Sequence, residues 1–343
     1  MALQNEEEQL VSAWRALNGE AGGSGWKVID LFNAKGCKVM AGRKGLGNEE
    51  SLLVGISGTS VPADSQLPRG QGFTFVHTEL PGDASERTWF ALVRQQGGQL
   101  PLFSLMAADL VALLARIGGD AGGKILSALM ARIHAWQNFM KHNRPDLLSA
   151  EEEVGLVGEL VVLGNLLADG AVEATDTIES WVGPIDGLHD FKMGTGAIEV
   201  KSTTAPMGFM AKIGNLDQLD NSLFQPLYVG SVRLGQSDAG KTLPDFVDAL
   251  KERIPDEAAV SVFSSRLIAA GYIETMRNQY VRRFVARELS YRLVKDDSPR
   301  LTRASVPSAI HEARYTIDLE VIPVVATTFS EISSNLGVGT KWS

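Results

Sequence analysis

Apolar and polar positions change their rhythm several times along the chain. Residues 4–17 repeat apolar side chains at three- and four-residue spacing and predict a short amphipathic helix, which the glycines of "GEAGGSG" then break. Five short runs follow, "GWKVIDLF", "CKVMAG", "SLLVGIS", "FTFVHTEL" and "TWFALVRQ", rich in β-branched and aromatic residues and separated by Gly, Pro, Asn and Asp. They predict an antiparallel sheet. Helical spacing returns in "LMAADLVALLARI" and "GGKILSALMARIHAWQNFM". In "SAEEEVGLVGELVVLGNLLADG", Ser149 and Glu152 form a capping box, so a helix is expected from about Ala150. Its apolar stripe is Leu156, Leu160, Leu163 and Leu167, and Gly155, Gly158 and Gly164 would allow close approach to a sheet. Two strands, Leu188 to Met193 and Ala197 to Thr204, flank the turn Gly194-Thr195-Gly196, and the strand "PLYVGSVRL" and helix "LPDFVDALKERI" follow.

This order predicts an α+β or α/β protein: an N-terminal antiparallel β-rich module over 1–105, a helical connector over 106–148, a core of mixed sheet and helices over 149–255, and a C-terminal α/β extension over 256–343. Composition adds limits. Of 343 residues, 44% are hydrophobic and 21% charged, ordinary globular usage, and stretches such as Val154 to Leu167 are too short to span a bilayer. With Cys37 as the only cysteine, no intrachain disulfide can form, and the start lacks the pattern of a secretory signal, so a cytoplasmic location is expected. Cys37 reads as a packed, inert thiol in a strand. The net charge of −9 argues against a protein coated in nucleic acid, yet Arg266 to Arg303 carries nine basic and four acidic residues, a local +5.

The candidate chemistry lies in "HDFKMGTGAIEVKSTT". Strand alternation places Glu199 and Lys201 on one face and Ile198 and Val200 on the other. If the glycine turn closes the hairpin, Asp190 falls nearly opposite Glu199, and two carboxylates so close repel unless a cation lies between them. Two hard oxygen ligands with open positions are what Mg²⁺ usually takes from a protein. Glu159, one helical turn from Leu156 and Leu163, projects at the edge of an apolar stripe and needs compensation from a metal or from Lys201.

"GLVGEL" with Glu159, "WVGP", "HDF" with Asp190 and "IEVKST" with Glu199 and Lys201 resemble the restriction-endonuclease-like superfamily, whose signature is PD-(D/E)XK. More narrowly, the pattern through "DQLD" and "LYV" resembles the bacterial PD-(D/E)XK motif protein family, strongest over about 150–250. The resemblance implies a restriction-endonuclease-like core preceded by the β-rich module. It implies a Mg²⁺-dependent DNA endonuclease, with Mn²⁺ as a substitute, serving as the nuclease subunit of a restriction-modification or phage-defence system. Asp190 and Glu199 would bind the metal, Glu159 would complete its shell, and Lys201 would orient or activate the attacking water. A helicase-like ATPase and a methyltransferase are candidate partners beside DNA, and a homodimer is among the assemblies it allows. The Pro-Asp pair is absent as such: Pro184 precedes Ile185 and Asp186, which leaves Asp186 as a reserve ligand behind Asp190. His189 is read either as structural or as a nucleic-acid contact. Gln218 would reach the scissile region or serve as a cap. The alternative from the binding class is a nuclease-like subunit that grips DNA and cleaves weakly or not at all.

Two further segments carry readings of their own. "GQSDAGKT", Gly235 to Thr242, spells a P-loop with Lys241 as its phosphate lysine, and the rival expectation is a flexible loop before a helix near Pro244. Arg277, Arg282, Arg283 and Arg287, interleaved with Tyr272, Tyr280, Phe284 and Tyr291, form either a DNA-facing surface or an amphipathic element with solvated arginines.

Overall fold

A computed structural model describes residues 2–18, 25–45, 47–70, 72–80, 86–141 and 147–337. The chain divides into two compact units, 1–145 and 146–343.

In the first unit, α1 (Ala2–Ala16) precedes six strands: β1 (Trp26–Asn33), β2 (Cys37–Lys44), β3 (Glu50–Ser57), β4 (Arg69–Gly70), β5 (Phe73–Thr78) and β6 (Arg87–Arg94). They form one antiparallel sheet in the order β1-β2-β3-β6-β5-β4. Two helices, α2 (Leu100–Ile117) and α3 (Gly122–Lys141), complete the unit. They are not a separate connector over 106–148. Their apolar residues, among them Phe103, Leu110, Ile133 and Trp136, are buried within this unit, because β2 and β3 are apolar on both faces and need a cover. α2 is long and apolar enough by composition to cross a membrane, and half of it is buried inside the unit. Glu50, on β3, is buried between Arg43 and Arg94 at 2.7 and 2.5 Å. Cys37 is buried on β2, and burial raises its thiol pKa.

In the second unit, α4 (Ala150–Asp169) starts on the expected capping box, with both of its hydrogen bonds formed between Ser149 and Glu152. After α5 (Ala174–Ser180) come β7 (Phe191–Met193), β8 (Gly196–Thr203), β9 (Met210–Ile213), β10 (Leu227–Thr242), α6 (Leu243–Lys251), α7 (Glu257–Ala269), β11 (Arg283–Leu293), β12 (Tyr315–Asp318) and α8 (Ser330–Ser333). Four strands make a mixed sheet in the order β11-β10-β8-β7, with β8 and β10 parallel and the outer pairs antiparallel. β9 and β12 pair separately. The region from 256 onward is therefore no appendage, since it supplies an edge strand of the core sheet.

Alternation along β8 sends its side chains into two different cores. Ile198 and Val200 join Leu156, Val157 and Leu160 of α4, whereas Ala197 joins Phe209, Ala211, Ile213 and Ile317 of the β9/β12 layer. Gly158 lets α4 lie directly on β8: a Cβ there would fall 1.7 Å from the Ser202 Oγ. Gly164 faces Leu250 at 3.3 Å, but a Cβ at Gly155 would meet open space, so only part of the glycine pattern serves packing.

Candidate functional site

β7 is short. It starts at Phe191 rather than Leu188 and pairs with β8 only as far as Ile198. From Glu199 onward no described strand pairs with β8 on that side, which leaves an open edge. Asp190, just before β7, fills the first position of that edge: its Oδ2 accepts the Val200 N–H at 2.6 Å. The carbonyl of Asp190 accepts the N–H groups of Val182 and Gly183 at 2.8 and 3.0 Å, and a Cβ on Gly183 would lie 2.7 Å from Oδ1. Residues 182–183 thus cradle the aspartate, and Gly183 is required for the close approach. Continuation of the hairpin register, in which Phe191 faces Ile198, sets Asp190 against Glu199, as alternation predicts.

Glu199 is 3% exposed, and its Oε1 accepts the Lys201 ammonium at 2.7 Å. Glu159 reaches the same place from α4, held by the Trp181 indole N–H at 2.7 Å. The four groups lie near enough to shift one another's ionisation. Burial pushes Glu159 up to about 7, with the Trp181 hydrogen bond opposing and Glu199 adding to the rise. Burial, then the charges of Glu199 and Glu159, hold Asp190 well above the usual carboxylate range. For Lys201, burial favours the neutral amine, but Glu199, Asp190 and Glu159 outweigh it and the pKa is raised.

The second circle of candidates takes other roles. His189 is buried, donates from Nε2 to the Gln218 carbonyl at 3.1 Å and meets the Phe224 ring edge-on at 5.5 Å. Burial lowers its pKa, so it is a neutral tether between the hairpin and the 214–220 turn. The Gln218 side chain accepts the Gly214 N–H at 2.7 Å, a cap of its own turn. Asp186 lies in a left-handed turn, exposed, outside any strand.

Sequence reasoning missed Trp181 and Gly183 as members of the site. Both stand in the quoted "WVGP", but nothing in their spacing shows that an indole would bind the helix glutamate or that a glycine would seat the aspartate. It also left Arg233 unremarked, which pairs in register with Thr203 beyond Lys201.

The P-loop expectation fails. Gly235 to Thr242 is the end of β10, in which Gln236 and Lys241 both stand opposite Phe284 and the residues between them bulge out. Thr242 and Asp245 cap α6 reciprocally, so the helix N-terminus that would hold phosphate is filled by its own side chains. Nor is the segment a loose loop, since Lys241 and Thr242 are paired with β11.

The four arginines also separate. Arg277 binds Asp248 at 2.6 Å and Glu274 at 2.5 Å, and Arg282 pairs with buried Glu153 at 3.0 Å. Their charge is spent locally. Arg283 and Arg287 remain exposed on β11, the former donating to the Gly240 carbonyl at 3.0 Å.

Among the described residues, no group of three or more His, Cys, Asp or Glu side chains is already gathered around one metal position. One oxygen of each acid is engaged, by Trp181, Val200 or Lys201. The chemistry of the set nonetheless suits a hard divalent cation: three carboxylates against one ammonium leave two negative charges uncompensated when all ionise, in surroundings that punish charge. No curated protein and no solved structure matches the chain. A family model described as "Putative PD-(D/E)XK family member, (DUF4420)" matches residues 10–320. That match runs over most of the length and includes both units, and the chain belongs to this family.

Proposed function

We propose that the protein is a Mg²⁺-dependent DNA endonuclease, the nuclease subunit of a restriction-modification or phage-defence system. What supports the reading is the Lys201–Glu199 ion pair at 2.7 Å on the open edge of β8, with Asp190 bonded to the Val200 N–H between them and Glu159 near enough to act on their charges, in a chain of this family. Asp190 and Glu199 would hold the metal, with Glu159 completing the shell and Mn²⁺ able to substitute. When bound, the metal supplies an acidified water and neutralises charge on the phosphoryl oxygens. Lys201 supports this from the protein side: its ammonium, kept protonated by the three acids, stabilises developing negative charge and orients the nucleophilic water. Trp181 fixes the Glu159 carboxylate, and the Val200 N–H fixes that of Asp190.

The ion pair between Lys201 and Glu199 favours a second reading, a subunit that binds DNA and cleaves weakly or not at all. Cleavage of plasmid and single-stranded DNA in Mg²⁺, Mn²⁺ or EDTA, beside Asp190→Ala and Lys201→Ala, separates the two. Metal-dependent cutting by wild type alone supports the nuclease. Equal silence of all three, with DNA binding retained, supports the binding subunit. A helicase-like ATPase and a methyltransferase are the partners for reconstitution.

A further inference from the structure

Beyond Lys201 and Thr203, β8 runs into the segment Thr204–Gly208, and this segment is pinned in an unusual way. Arg233 stands opposite Thr203 in the parallel register, two positions beyond the Ser231 that faces Lys201, so it lies on the same face of the sheet as Glu199 and Lys201. Its guanidinium donates to the carbonyls of Ala205 at 2.5 Å and Gly208 at 3.1 Å. It also pairs with Glu320 at 3.1 Å and Glu288 at 3.5 Å and lies over the Phe209 ring at 5.5 Å. Both ends of the loop are thereby tied down over the face that bears the candidate chemistry. Its tip is not: Met207 is 85% exposed, the most exposed of the large apolar side chains described.

The surroundings of that tip are apolar at the centre and of mixed charge at the flank, where Lys212 and Arg314 are exposed beside the carboxylates of Glu151, Glu320 and Glu288. Met210, 65% exposed, and Lys212 share the outer face of β9, and Val321 is 67% exposed in the turn whose Leu319 N–H donates to the Phe209 carbonyl. On β12, register places the exposed Thr316 beside Lys212, and Arg314 continues the same outer face. Lys212 is held by an exposed ion pair to Glu151 at 2.7 Å, an interaction weak enough for a phosphate to displace. A large apolar side chain exposed at the tip of a loop whose ends are tied down, with cations within the same surface, has the form of a wedge that enters between stacked bases while the cations hold the phosphates.

We infer that Met207 is a wedge that unstacks a base step of duplex DNA next to the scissile phosphate, with Lys212 and Arg314 on the flanking backbone. This rests on the nuclease reading for its chemistry and names double-stranded DNA as the substrate class. Arg233 bonds the loop through the Ala205 and Gly208 carbonyls, which limits how much of it insertion would have to order.

Permanganate attacks unstacked thymines and reads the wedge wherever the protein sits on a plasmid, without knowledge of a recognition sequence. The full-length protein is bound to plasmid in EDTA, as wild type, Met207→Ala and Met207→Leu. The expected result is reactive thymines with wild type and Met207→Leu, at least fivefold fewer with Met207→Ala, and plasmid affinity changed by less than tenfold. In Mg²⁺, Met207→Ala should cut intact duplex at least tenfold more slowly than wild type, and duplex carrying a mismatch or a single-base bulge within about twofold of wild type, because there the unstacking is already done. Equal permanganate reactivity in wild type and Met207→Ala, no reactivity with bound wild type, or no binding to duplex would overturn the wedge. Reactive thymines without cutting in Mg²⁺ would sink the nuclease reading and leave the wedge standing.

Discussion

Single side chains at the site are held in a balance of charge that one substitution upsets. Removing the Lys201 ammonium leaves buried Glu199 facing two further acids, so Lys201→Ala is expected to lower plasmid cleavage by about a hundredfold or more, the usual cost of one preorganised electrostatic group. DNA affinity, measured by filter binding, should stay within a few-fold, and a parallel loss of affinity would mean that the lysine holds substrate rather than serving the reaction. Away from the site, Glu50 offers a test by pH. Burial alone would raise its pKa, but its backbone hydrogen bond, Arg94 and Arg43 overcome that and set it below the ordinary value. The sign follows: Glu50 contributes stability above its unfolded pKa of roughly 4.5, and that contribution disappears as pH falls through the lower folded value. Glu50→Gln, which leaves buried Arg43 without its counter-charge, is expected to cost about 3 kcal/mol at pH 7. In urea titrations the deficit should shrink as pH falls below about 4.5 toward the lowered folded pKa, and a deficit independent of pH would show that packing, not charge, is responsible.

At the level of elements, α4 must touch β8 closely enough for Glu159 to stand beside Asp190 and Glu199. Two glycines one turn apart on that helix make opposite predictions. Gly158→Ala drives a methyl into Ser202 and is expected to cost on the order of 1–3 kcal/mol, as overpacking does, and to lower cleavage by shifting Glu159. Gly155→Ala meets open space and should stabilise by roughly 0.5–1 kcal/mol through helix propensity alone. Thermal melts of both variants decide the matter, and a destabilising Gly155→Ala would mean that α4 packs differently. The short β7 matters at the same scale. A strand running back to Leu188, as the pattern of residues suggested, would have paired the edge of β8 and covered the place where Asp190 now binds the Val200 N–H.

For the whole molecule, the uncompensated charge of the site becomes a ligand effect on stability. At a Mg²⁺ concentration tenfold above its Kd, binding to the native state adds about 1.4 kcal/mol. In a unit of this size that corresponds to roughly 3–6 °C in Tm. Calorimetry should show the shift in the transition of the second unit for wild type and its loss for Asp190→Asn. An identical shift in both proteins would place the metal elsewhere. Packing within the second unit also explains why the region after 256 resisted reading. Its arginines look like one basic surface in the sequence, yet Arg277 and Arg282 are neutralised by Asp248, Glu274 and Glu153, the last from α4 more than a hundred residues earlier.

Features that depend on neighbours a few residues apart were legible in the amino-acid order. These are the capping box at Ser149, the alternation that sets Glu199 and Lys201 against Ile198 and Val200, the glycine hairpin, and the acid, acid and lysine order of the family. What depends on distant segments meeting was settled by the folded chain alone. It brought Trp181 to Glu159, tied His189 to the Gln218 carbonyl, turned the apparent P-loop into paired strand and cap, and pinned the Met207 loop through Arg233. The physical reason is one of range. Periodicity and capping are set by local backbone geometry, whereas the partner of a buried charge is chosen by whichever chain the packing carries to it, and sequence separation does not encode that choice.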